Sequence, residues 1–251
     1  MKECVRQAGQ AIFRMAAEGF QTAYKANEDP VTTADLTADR ILKTGLLGQF
    51  PDTGWLSEET SDDFTRLSKS QVWIVDPIDG TKEFVSGIAE YAVSVALVEH
   101  GRPVLATVYN PATEQLFTAV DGQGAWLNAE RISAEHHLTS KPVLLASRSE
   151  IGRGEFESLE PFAEIRPCGS IAYKLALVAA GAADATFSLG LKNEWDIAAG
   201  VLLVSEAGGQ VADRIGSPSC FNRRASLVDG IVATTKAALE PVRALIRRVE
   251  Y

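Results

Sequence analysis

The 251-residue sequence predicts a two-part fold, an α+β half followed by an α/β half. In the first half, two helical patterns precede a run of short apolar segments separated by turn residues, which indicates a mostly antiparallel sheet. In the second half, apolar strands alternate with alanine-rich helices, which indicates a second sheet covered by helices. We place the boundary in the polar stretch SAEHHLTSKP and divide the chain into residues 1–137 and 138–251.

Helical spacing of apolar residues opens the first half and predicts a helix over residues 2–24. The stretch KANEDP, residues 25–30, breaks that pattern and predicts an exposed loop. A second helix is expected over residues 33–48. The strands expected after it are 71–75, 91–99, 103–109, 116–120 and 125–128.

The second half repeats short apolar runs and longer helical patterns in alternation. Glycines directly after two of the helical patterns, at Gly181 and Gly208, are typical of helix ends. The strands expected here are 143–146, 185–187 and 227–233, and the helices are 171–180, 197–207 and 236–249.

Composition and charge narrow the functional classes. The hydrophobic content of 46% and the net charge of −9 suit a soluble globular protein and disfavour a nucleic-acid polymer or an anionic membrane as the main partner. No apolar run is long enough to span a bilayer, and the first twenty residues resemble an amphipathic helix more than a signal peptide. The three cysteines, Cys4, Cys168 and Cys220, match neither a disulfide framework nor a metal motif. We therefore expect a cytoplasmic protein.

The stretch QVWIVDPIDGTKEF places two carboxylates, Asp76 and Asp79, directly after an apolar strand. Pro, Asp and Gly are common turn residues, so a simple turn is one interpretation. However, two like charges beside a buried strand repel each other and are costly to desolvate. Two carboxylates, the carbonyl of Ile78 and a helix start at Gly80 and Thr81 together indicate a site for Mg²⁺ and phosphate.

Further carboxylates stand at similar junctions. WLSEET carries Glu58 and Glu59, and NEWDIAAG places Asp196 at the start of a helix. Each has an ordinary interpretation, because an acidic pair is usually solvated and an Asp at a helix start usually caps the helix. Together with the aspartate turn they form an acidic set with few basic neighbours, which divalent cations would neutralise.

These segments resemble one family of proteins. WLSEET, WIVDPIDGTKEF and EWDIAAG followed by EAGG, in this order and spacing, are similar to the signature of the inositol monophosphatase superfamily. DPVTTAD, residues 29–35, is similar to that family's N-terminal segment. The resemblance covers about residues 5–233. It implies a layered αβαβα sandwich, an active-site cleft between the two halves, and a Mg²⁺-dependent phosphatase that acts on small phosphorylated metabolites.

The resemblance also implies which residues bind two Mg²⁺ ions. Glu58, Asp76 and the carbonyl of Ile78 would hold the first ion, and Asp76, Asp79 and Asp196 the second. The ions would neutralise the substrate phosphate, activate a water and stabilise the leaving oxygen. It further implies sensitivity to lithium, since a small monovalent ion can replace one Mg²⁺.

Water and phosphate contacts follow from the same resemblance. Glu58 and the Thr81 hydroxyl would orient the attacking water, and the N–H groups of Gly80 and Thr81 would bind phosphate oxygens. Asp35 would act near the water or a weaker third metal, although it could instead only cap its helix. The loop of residues 25–30 would cover the site and reorganise when metal binds.

The substrate is a more open question, and three features favour the 3′(2′),5′-bisphosphate nucleotidases, which convert adenosine 3′,5′-bisphosphate to AMP. These features are the Lys82-Glu83-Phe84 sequence after Thr81, the EWD sequence, and Leu189, where inositol phosphatases have a glutamate that accepts hydrogen bonds from inositol. Leucine cannot accept those bonds.

Ser170 and Lys174 are candidate contacts to a second phosphate or the ribose, while the alternative for Lys174 is a solvated helix face. An inositol-1-monophosphatase or broad-specificity sugar phosphatase is the alternative enzyme, and a non-catalytic metal-binding regulator is the alternative of another class. Complete retention of the ligand set argues against the regulator. Both a monomer and a homodimer fit the sequence.

The remaining reactive side chains are predicted to be structural. The three histidines, His100, His136 and His137, lack metal-ligand spacing and are expected on the surface. Cys168 is expected to be buried or in a loop and not to act as a nucleophile. Trp195 is expected to fill a core.

Overall fold

The computed structural model describes residues 1–26, 28–135, 138 and 141–249. Two short 3₁₀ helices, Thr65–Ser68 and Glu157–Leu159, accompany the main elements. The helices are α1 Lys2–Glu18, α2 Thr33–Gln49, α3 Thr81–Val85, α4 Arg148–Gly152, α5 Ile171–Ala179, α6 Glu194–Glu206 and α7 Leu239–Val249. The strands are β1 Thr22–Tyr24, β2 Pro30–Thr32, β3 Gly54–Ser57, β4 Gln71–Asp79, β5 Ala92–Glu99, β6 Arg102–Asn110, β7 Gln115–Val120, β8 Gly124–Leu127, β9 Glu130–Ile132, β10 Val143–Ala146, β11 Glu164–Pro167, β12 Ala185–Ser188, β13 Lys192–Asn193, β14 Gln210–Ala212, β15 Leu227–Val228 and β16 Ile231–Thr234.

The first half forms a seven-stranded sheet in the order β3-β4-β5-β6-β7-β8-β9. Only β3 and β4 pair in parallel, and every later pair is antiparallel. Strand β4 is apolar in the four residues after Gln71 because helices cover both of its faces. Trp73 and Val75 pack against α1 and α2, whereas Val72 and Ile74 pack against α5 and α6 on the opposite face.

The second half forms a five-stranded sheet in the order β11-β10-β12-β16-β14. Helices α5 and α6 lie between this sheet and the large one, and α7 covers its outer face. The layers are therefore α1/α2, the large sheet, α5/α6, the small sheet and α7. This arrangement confirms the predicted αβαβα sandwich. The division of the chain at residue 137 stays a prediction, since residues 136, 137, 139 and 140 lie outside the described residues.

Most predicted elements are present, and the deviations have local causes. The first helix ends at Glu18 and not at residue 24, because Gly19 adopts φ 111° and redirects the chain. Residues 22–24 instead pair with 30–32 in a short antiparallel hairpin. The predicted strand 227–233 is two strands, separated at Gly230, which has φ 67°.

Other boundaries shift in ways that matter for the site. Strand β4 continues past Val75 to Asp79, although Pro77 interrupts its hydrogen bonding and the register shifts between Asp76 and Asp79. Helix α6 begins at Glu194, three residues earlier than predicted, and α7 begins at Leu239. None of the helices in the described part of the chain is long and apolar enough to cross a bilayer.

Candidate metal and phosphate site

The aspartate turn forms where β4 leaves the large sheet. Asp76 is 2% exposed, and its Oδ1 accepts the N–H of Ile78 at 3.1 Å, which stabilises the bulged strand end. Pro77 fixes its own φ and offers no N–H, so the turn is stiff. Gly80 then adopts φ 94°, and Thr81 begins the five-residue helix α3. The sequence prediction of a short helix after the turn is confirmed.

Asp79 joins this turn to the second half of the chain. Its Oδ2 accepts hydrogen bonds from the Ser170 hydroxyl and from the N–H of Ala172, each at 2.6 Å. Ser170 is the N-cap of α5, so the carboxylate lies at a helix end where free N–H groups favour negative charge. The contact fixes Asp79 across the two halves.

Asp196 lies in the first turn of α6. Its Oδ2 accepts the N–H of Asn193 at 2.9 Å, and Asn193 in turn caps the helix. The expectation that Asp196 could be a capping residue is therefore correct. The same side chain also lines the cleft beside Asp76 and Asp79, so capping and metal binding are compatible.

Asp35 likewise combines two contacts. Its Oδ2 accepts the N–H of Thr32 at 2.7 Å and closes a capping box at the start of α2. Its Oδ1 lies 3.1 Å from the Thr81 hydroxyl, which is also 3.0 Å from the carbonyl oxygen of Ile78. Asp35 is 1% exposed, so it does more than cap a surface helix: it contacts the residue predicted to orient water.

Glu58 and Glu59 follow β3 and share one cation, Lys25. The Lys25 Nζ is 2.7 Å from Glu58 Oε1 and 2.8 Å from Glu59 Oε1. Burial alone would lower the pKa of Lys25, but the hydrogen bonds to both glutamates raise it above its ordinary value. The interpretation of this pair as solvated surface is wrong for Glu59, whose side chain is 7% exposed.

The buried carboxylates repel one another. Burial raises the pKa of Asp76 well above its ordinary value, and the charges of Glu58, Asp79 and Asp196 raise it further. Burial also raises the pKa of Asp79 to about 6, against the hydrogen bonds from Ser170 and Ala172. Burial, followed by the charge of Asp79, raises the pKa of Asp196. A bound cation would remove this repulsion.

The donor set suits a hard cation. Carboxylate and carbonyl oxygens are the ligands that Mg²⁺ prefers, and the predicted ligands offer only these. Within residues 1–26, 28–135, 138 and 141–249, no three acidic, histidine or cysteine side chains lie close enough to enclose an ion as they stand.

The predicted ligands Glu58, Asp76, Ile78, Asp79 and Asp196 line one cleft of about 650 Å³, together with Gly80, Thr81 and Ser170, whereas Asp35 does not line it. Its lining combines the aspartate turn with the starts of α4, α5 and α6, so the cleft lies between the two halves. Lys174 also lines it and is 2% exposed, with Nζ 3.9 Å from Glu150 Oε2. Burial lowers the pKa of Lys174 against the opposing charge of Glu150. The alternative of a solvated helix face for Lys174 is wrong.

The cleft residues that the sequence analysis did not assign include three charged side chains from the second half: Arg148, Glu150 and Lys192. The signal for Glu150 was a capping box in SRSE, where its carboxylate bonds the N–H of Ser147 at 3.1 Å. Arg148 lies just after strand β10 and forms an ion pair with Glu90 from the first half. Its Nη1 is also 3.6 Å from Glu83 Oε1. Lys192 directly precedes the NEWD segment, which was an available signal.

The side chains predicted to be structural occupy ordinary positions. His100 is exposed, and Trp195 packs partly buried against the main core. Cys168 is buried, and burial raises the pKa of its thiol to about 12, which agrees with a residue that is not a nucleophile. Leu189 packs against the core under α7. His136 and His137 lie outside the described residues.

Comparison with known proteins agrees with this fold and cleft. The inositol-1-monophosphatase of Rhizobium meliloti is 37% identical over 227 residues, which cover 86% of this chain and 85% of that protein. The 3′(2′),5′-bisphosphate nucleotidase CysQ of Escherichia coli O157:H7 is 33% identical over 233 residues, 90% of this chain and 94% of that protein. The solved structure of Thermotoga maritima IMPase superposes with a TM-score of 0.86 at 29% identity, over 98% of this chain and 95% of that one.

The layered fold and its relatives define a phosphatase of small phosphorylated metabolites. The sequence model described as the inositol monophosphatase family matches residues 1–250. The chain belongs to the inositol monophosphatase family.

Proposed function

We propose that the chain is a Mg²⁺-dependent phosphomonoesterase that hydrolyses adenosine 3′,5′-bisphosphate to AMP and phosphate. The observation that carries this proposal is the charge pattern of the cleft. Buried aspartates line one part of it, and Lys174, Lys192 and Arg148 line the same cavity from the second half. A metal-bridged phosphate would occupy the acidic part, and the cations would bind a second phosphate on the same substrate.

Mg²⁺ would be held by the residues that the family resemblance implies. Glu58, Asp76 and the Ile78 carbonyl would provide one set of ligands, and Asp76, Asp79 and Asp196 the other. When bound, the ions supply positive charge for the phosphate, a more acidic water and stabilisation of the leaving oxygen. The protein's part is to fix these oxygens, as the contacts of Asp79 with Ser170 and Ala172 illustrate.

The attacking water would be oriented by Glu58 and Thr81. When the Thr81 hydroxyl donates its proton to Asp35, the lone pairs of its oxygen face away from that bond and can accept a hydrogen bond from water. Asp35 is itself fixed by the N–H of Thr32. The N–H groups of Gly80 and Thr81, at the start of α3, would bind the transferred phosphate.

Ser170 is better assigned to Asp79 than to the substrate. Its only hydroxyl proton is donated to Asp79, and its oxygen accepts the N–H of Tyr173 at 3.0 Å. It therefore has no proton left for a phosphate oxygen. Within the described residues Lys174 forms an ion pair with Glu150 at 3.9 Å but makes no hydrogen bond, so its N–H groups are available to the second phosphate.

Inositol 1-phosphate is the second candidate substrate, favoured by the 37% identity to an inositol-1-monophosphatase. Against it, Leu189 offers no hydrogen-bond acceptor and packs against the core under α7 instead of lining the cleft. Glu150 is a further carboxylate in the second half of the cleft. It already accepts hydrogen bonds from Ser147 and Ser188 and forms an ion pair with Lys174, so it is not free to accept hydrogen bonds from inositol.

A parallel assay tests the proposal. Phosphate release with Mg²⁺ is measured from adenosine 3′,5′-bisphosphate, inositol 1-phosphate and fructose 1,6-bisphosphate. We expect the highest kcat/KM for the nucleotide. A higher kcat/KM for inositol 1-phosphate would overturn the substrate assignment, and no release from any of the three would overturn the proposed activity.

The second-phosphate contact is tested by removing Lys174. Lys174→Met is combined with Glu150→Gln so that no unpaired carboxylate is buried. One charge-assisted hydrogen bond is worth about 2 kcal/mol, so kcat/KM for the bisphosphate should fall about 30-fold. The kcat/KM for inositol 1-phosphate, which has no second phosphate, should change less than about threefold. Lys236→Met, which removes an exposed lysine paired with Glu135, is the control. An equal loss for both substrates would contradict the assigned contact.

Lys25 is expected to compete with the metal for Glu58. Lys25→Met removes an ammonium 2.7 Å from that carboxylate, so the Mg²⁺ concentration for half-maximal activity should fall. Because half-exposed ion pairs are worth at most about 1 kcal/mol, the expected change is about two- to fivefold. It is measured by Mg²⁺ titration of phosphate release, again with Lys236→Met as the control. An increased Mg²⁺ requirement would mean that Lys25 assists the ion.

A further inference from the structure

The start of α6 is held by a buried polar network. Glu194 is completely buried, and its carboxylate accepts the N–H of Asn222 at 2.7 Å and the N–H of Arg223 at 2.9 Å. The N–H of Glu194 donates to the carbonyl of Ser226 at 2.8 Å. The helix that carries Asp196 is thus tied at its first residue to the turn formed by residues 222–226.

The same turn is held from its other side by Arg66, which belongs to the first half of the chain. Arg66 Nη1 donates to Asn222 Oδ1 at 2.7 Å, and Nη2 donates to the carbonyl of Arg223 at 3.0 Å. Arg66 is 1% exposed, and Asp62 balances its charge through Nε at 3.1 Å and Nη2 at 2.8 Å. Because the N–H groups of a guanidinium form a rigid fork, these hydrogen bonds hold the buried Arg66 side chain in a single orientation.

These contacts form a chain from the first half of the protein to the last predicted metal ligand. We name the set of Arg66, Asn222 and Glu194 the Arg66 clamp. Asp196 alone among the predicted ligands lies in the second half, so its distance from Asp76 and Asp79 depends on how α6 is placed. Metal sites and catalytic sites need their ligands held to within about 0.5 Å, which side-chain packing and hydrogen bonds must supply.

We propose that the residues of the Arg66 clamp are positioning residues that hold the start of α6, and with it Asp196, beside the aspartate turn so that a shared Mg²⁺ can bind there. The inference rests on the proposed function, because that function makes Asp196 a ligand. It adds that residues which touch neither metal nor substrate determine the affinity for Mg²⁺.

Asn222→Gly tests the clamp with little damage to the backbone. Asn222 has φ 59°, a conformation that glycine adopts readily, so the variant removes the Oδ1 acceptor of Arg66 and keeps the turn. Asn128→Gly is the matched control, since Asn128 has φ 57° and its Oδ1 accepts the N–H of Leu116 at 3.0 Å in the distant turn between β8 and β9. The Kd of each protein for Mg²⁺ is measured by isothermal titration calorimetry with MgCl₂ and no substrate.

Asn222→Gly is expected to raise the Kd for Mg²⁺ about tenfold or more, the effect typical of lost partners around metal ligands. The melting temperatures of the two glycine variants should fall by similar amounts. A Kd for Asn222→Gly close to that of Asn128→Gly would overturn the proposal.

A second variant keeps the test decisive if Asn222→Gly does not fold. Glu194→Gln preserves the shape of the side chain but turns one acceptor into a donor that faces a backbone N–H, so it should raise the Kd as well. An unchanged Kd would contradict the clamp. Phosphate release by the wild-type protein is recorded separately. If the protein binds Mg²⁺ but releases no phosphate, the proposed function is overturned, and the Kd values of the variants still decide whether the clamp exists. A wild-type protein that binds no Mg²⁺ would overturn the clamp.

Discussion

Asp79→Asn is expected to reduce phosphate release about a thousandfold or more while the protein remains folded. The asparagine Oδ1 can take the place of the oxygen that accepts the Ser170 and Ala172 hydrogen bonds, which leaves an NH₂ group on the side of the metal. An NH₂ group cannot ligate Mg²⁺. The loss of metal-derived stabilisation, about 4 kcal/mol, corresponds to the stated decrease in rate.

The same variant should not lose stability in the metal-free form. Because the pKa of Asp79 is raised from 3.8 to about 6, the folded protein binds more protons than the unfolded chain between these values. The free energy of unfolding therefore falls as pH rises through that window. Asn at position 79 removes this decrease, so at pH 7 the melting temperature should stay within about 3 °C of wild type or rise.

Asp213→Asn is the control for this substitution. Like Asp79, Asp213 accepts two hydrogen bonds with one oxygen, here from the backbone N–H groups of Ile215 at 3.1 Å and Ser217 at 2.7 Å, but it lies outside the cleft. It should retain full activity. Phosphate release by Asp79→Asn at near wild-type rates would show that Asp79 is only a turn residue.

Gly80→Ala is expected to damage both stability and catalysis. Gly80 has φ 94°, and an added Cβ would lie 2.9 Å from the carbonyl oxygen of Glu90 and 3.3 Å from the Cβ of Ser170 and from the Cα of Tyr91. The left-handed conformation and the clash together cost about 3 kcal/mol, equivalent to a decrease in melting temperature of about 8 °C. Because Asp79 and Thr81 flank the glycine, displacement of the turn should reduce kcat about a hundredfold.

Gly87→Ala separates the two contributions. Gly87 also has a positive φ, 69°, but no atom of the described residues beyond its chain neighbours lies within 4 Å of the added Cβ. It should lose only about 1 kcal/mol and keep its activity, since it pays the conformational cost alone. Equal effects of the two alanine variants, measured by thermal unfolding and phosphate release, would contradict the close packing around the aspartate turn.

Much of this organisation was predictable from local sequence. Periodicity predicts an α+β half followed by an α/β half, and the family resemblance implies the αβαβα layers. The helix predicted over residues 33–48 is confirmed to within one residue. The predicted ligands lie in one cleft: Glu58 follows β3, Asp76 and Asp79 lie in the last part of β4, and Asp196 lies in the first turn of α6. Their assigned roles in metal binding and catalysis stay predictions.

The parts that sequence could not give depend on long-range contacts. Ser170 and Asp79 are 91 residues apart, and only the packing of α5 against the large sheet shows that the serine holds the aspartate. The burial of Lys174 depends on its pairing with Glu150 from a different element. The first helix was predicted too long because helical spacing continues in residues 19–24, whereas Gly19 and the pairing of β1 with β2 end it.

Asp79 accepts a hydrogen bond from the start of α5, and Asp196 lies on α6. This placement determines which parts of the cleft can change without disturbing the two aspartates. Both helices form the interior layer, enclosed by a sheet on either side, and most of their residues belong to the main buried core. Close packing leaves such positions little room for a side chain of another size. Arg148 and Ser149, by contrast, stand on a peripheral segment beside the cavity mouth. Replacements at these two exposed positions would therefore disturb the packing less than a replacement of Lys174, which lies buried on α5 in the interior layer.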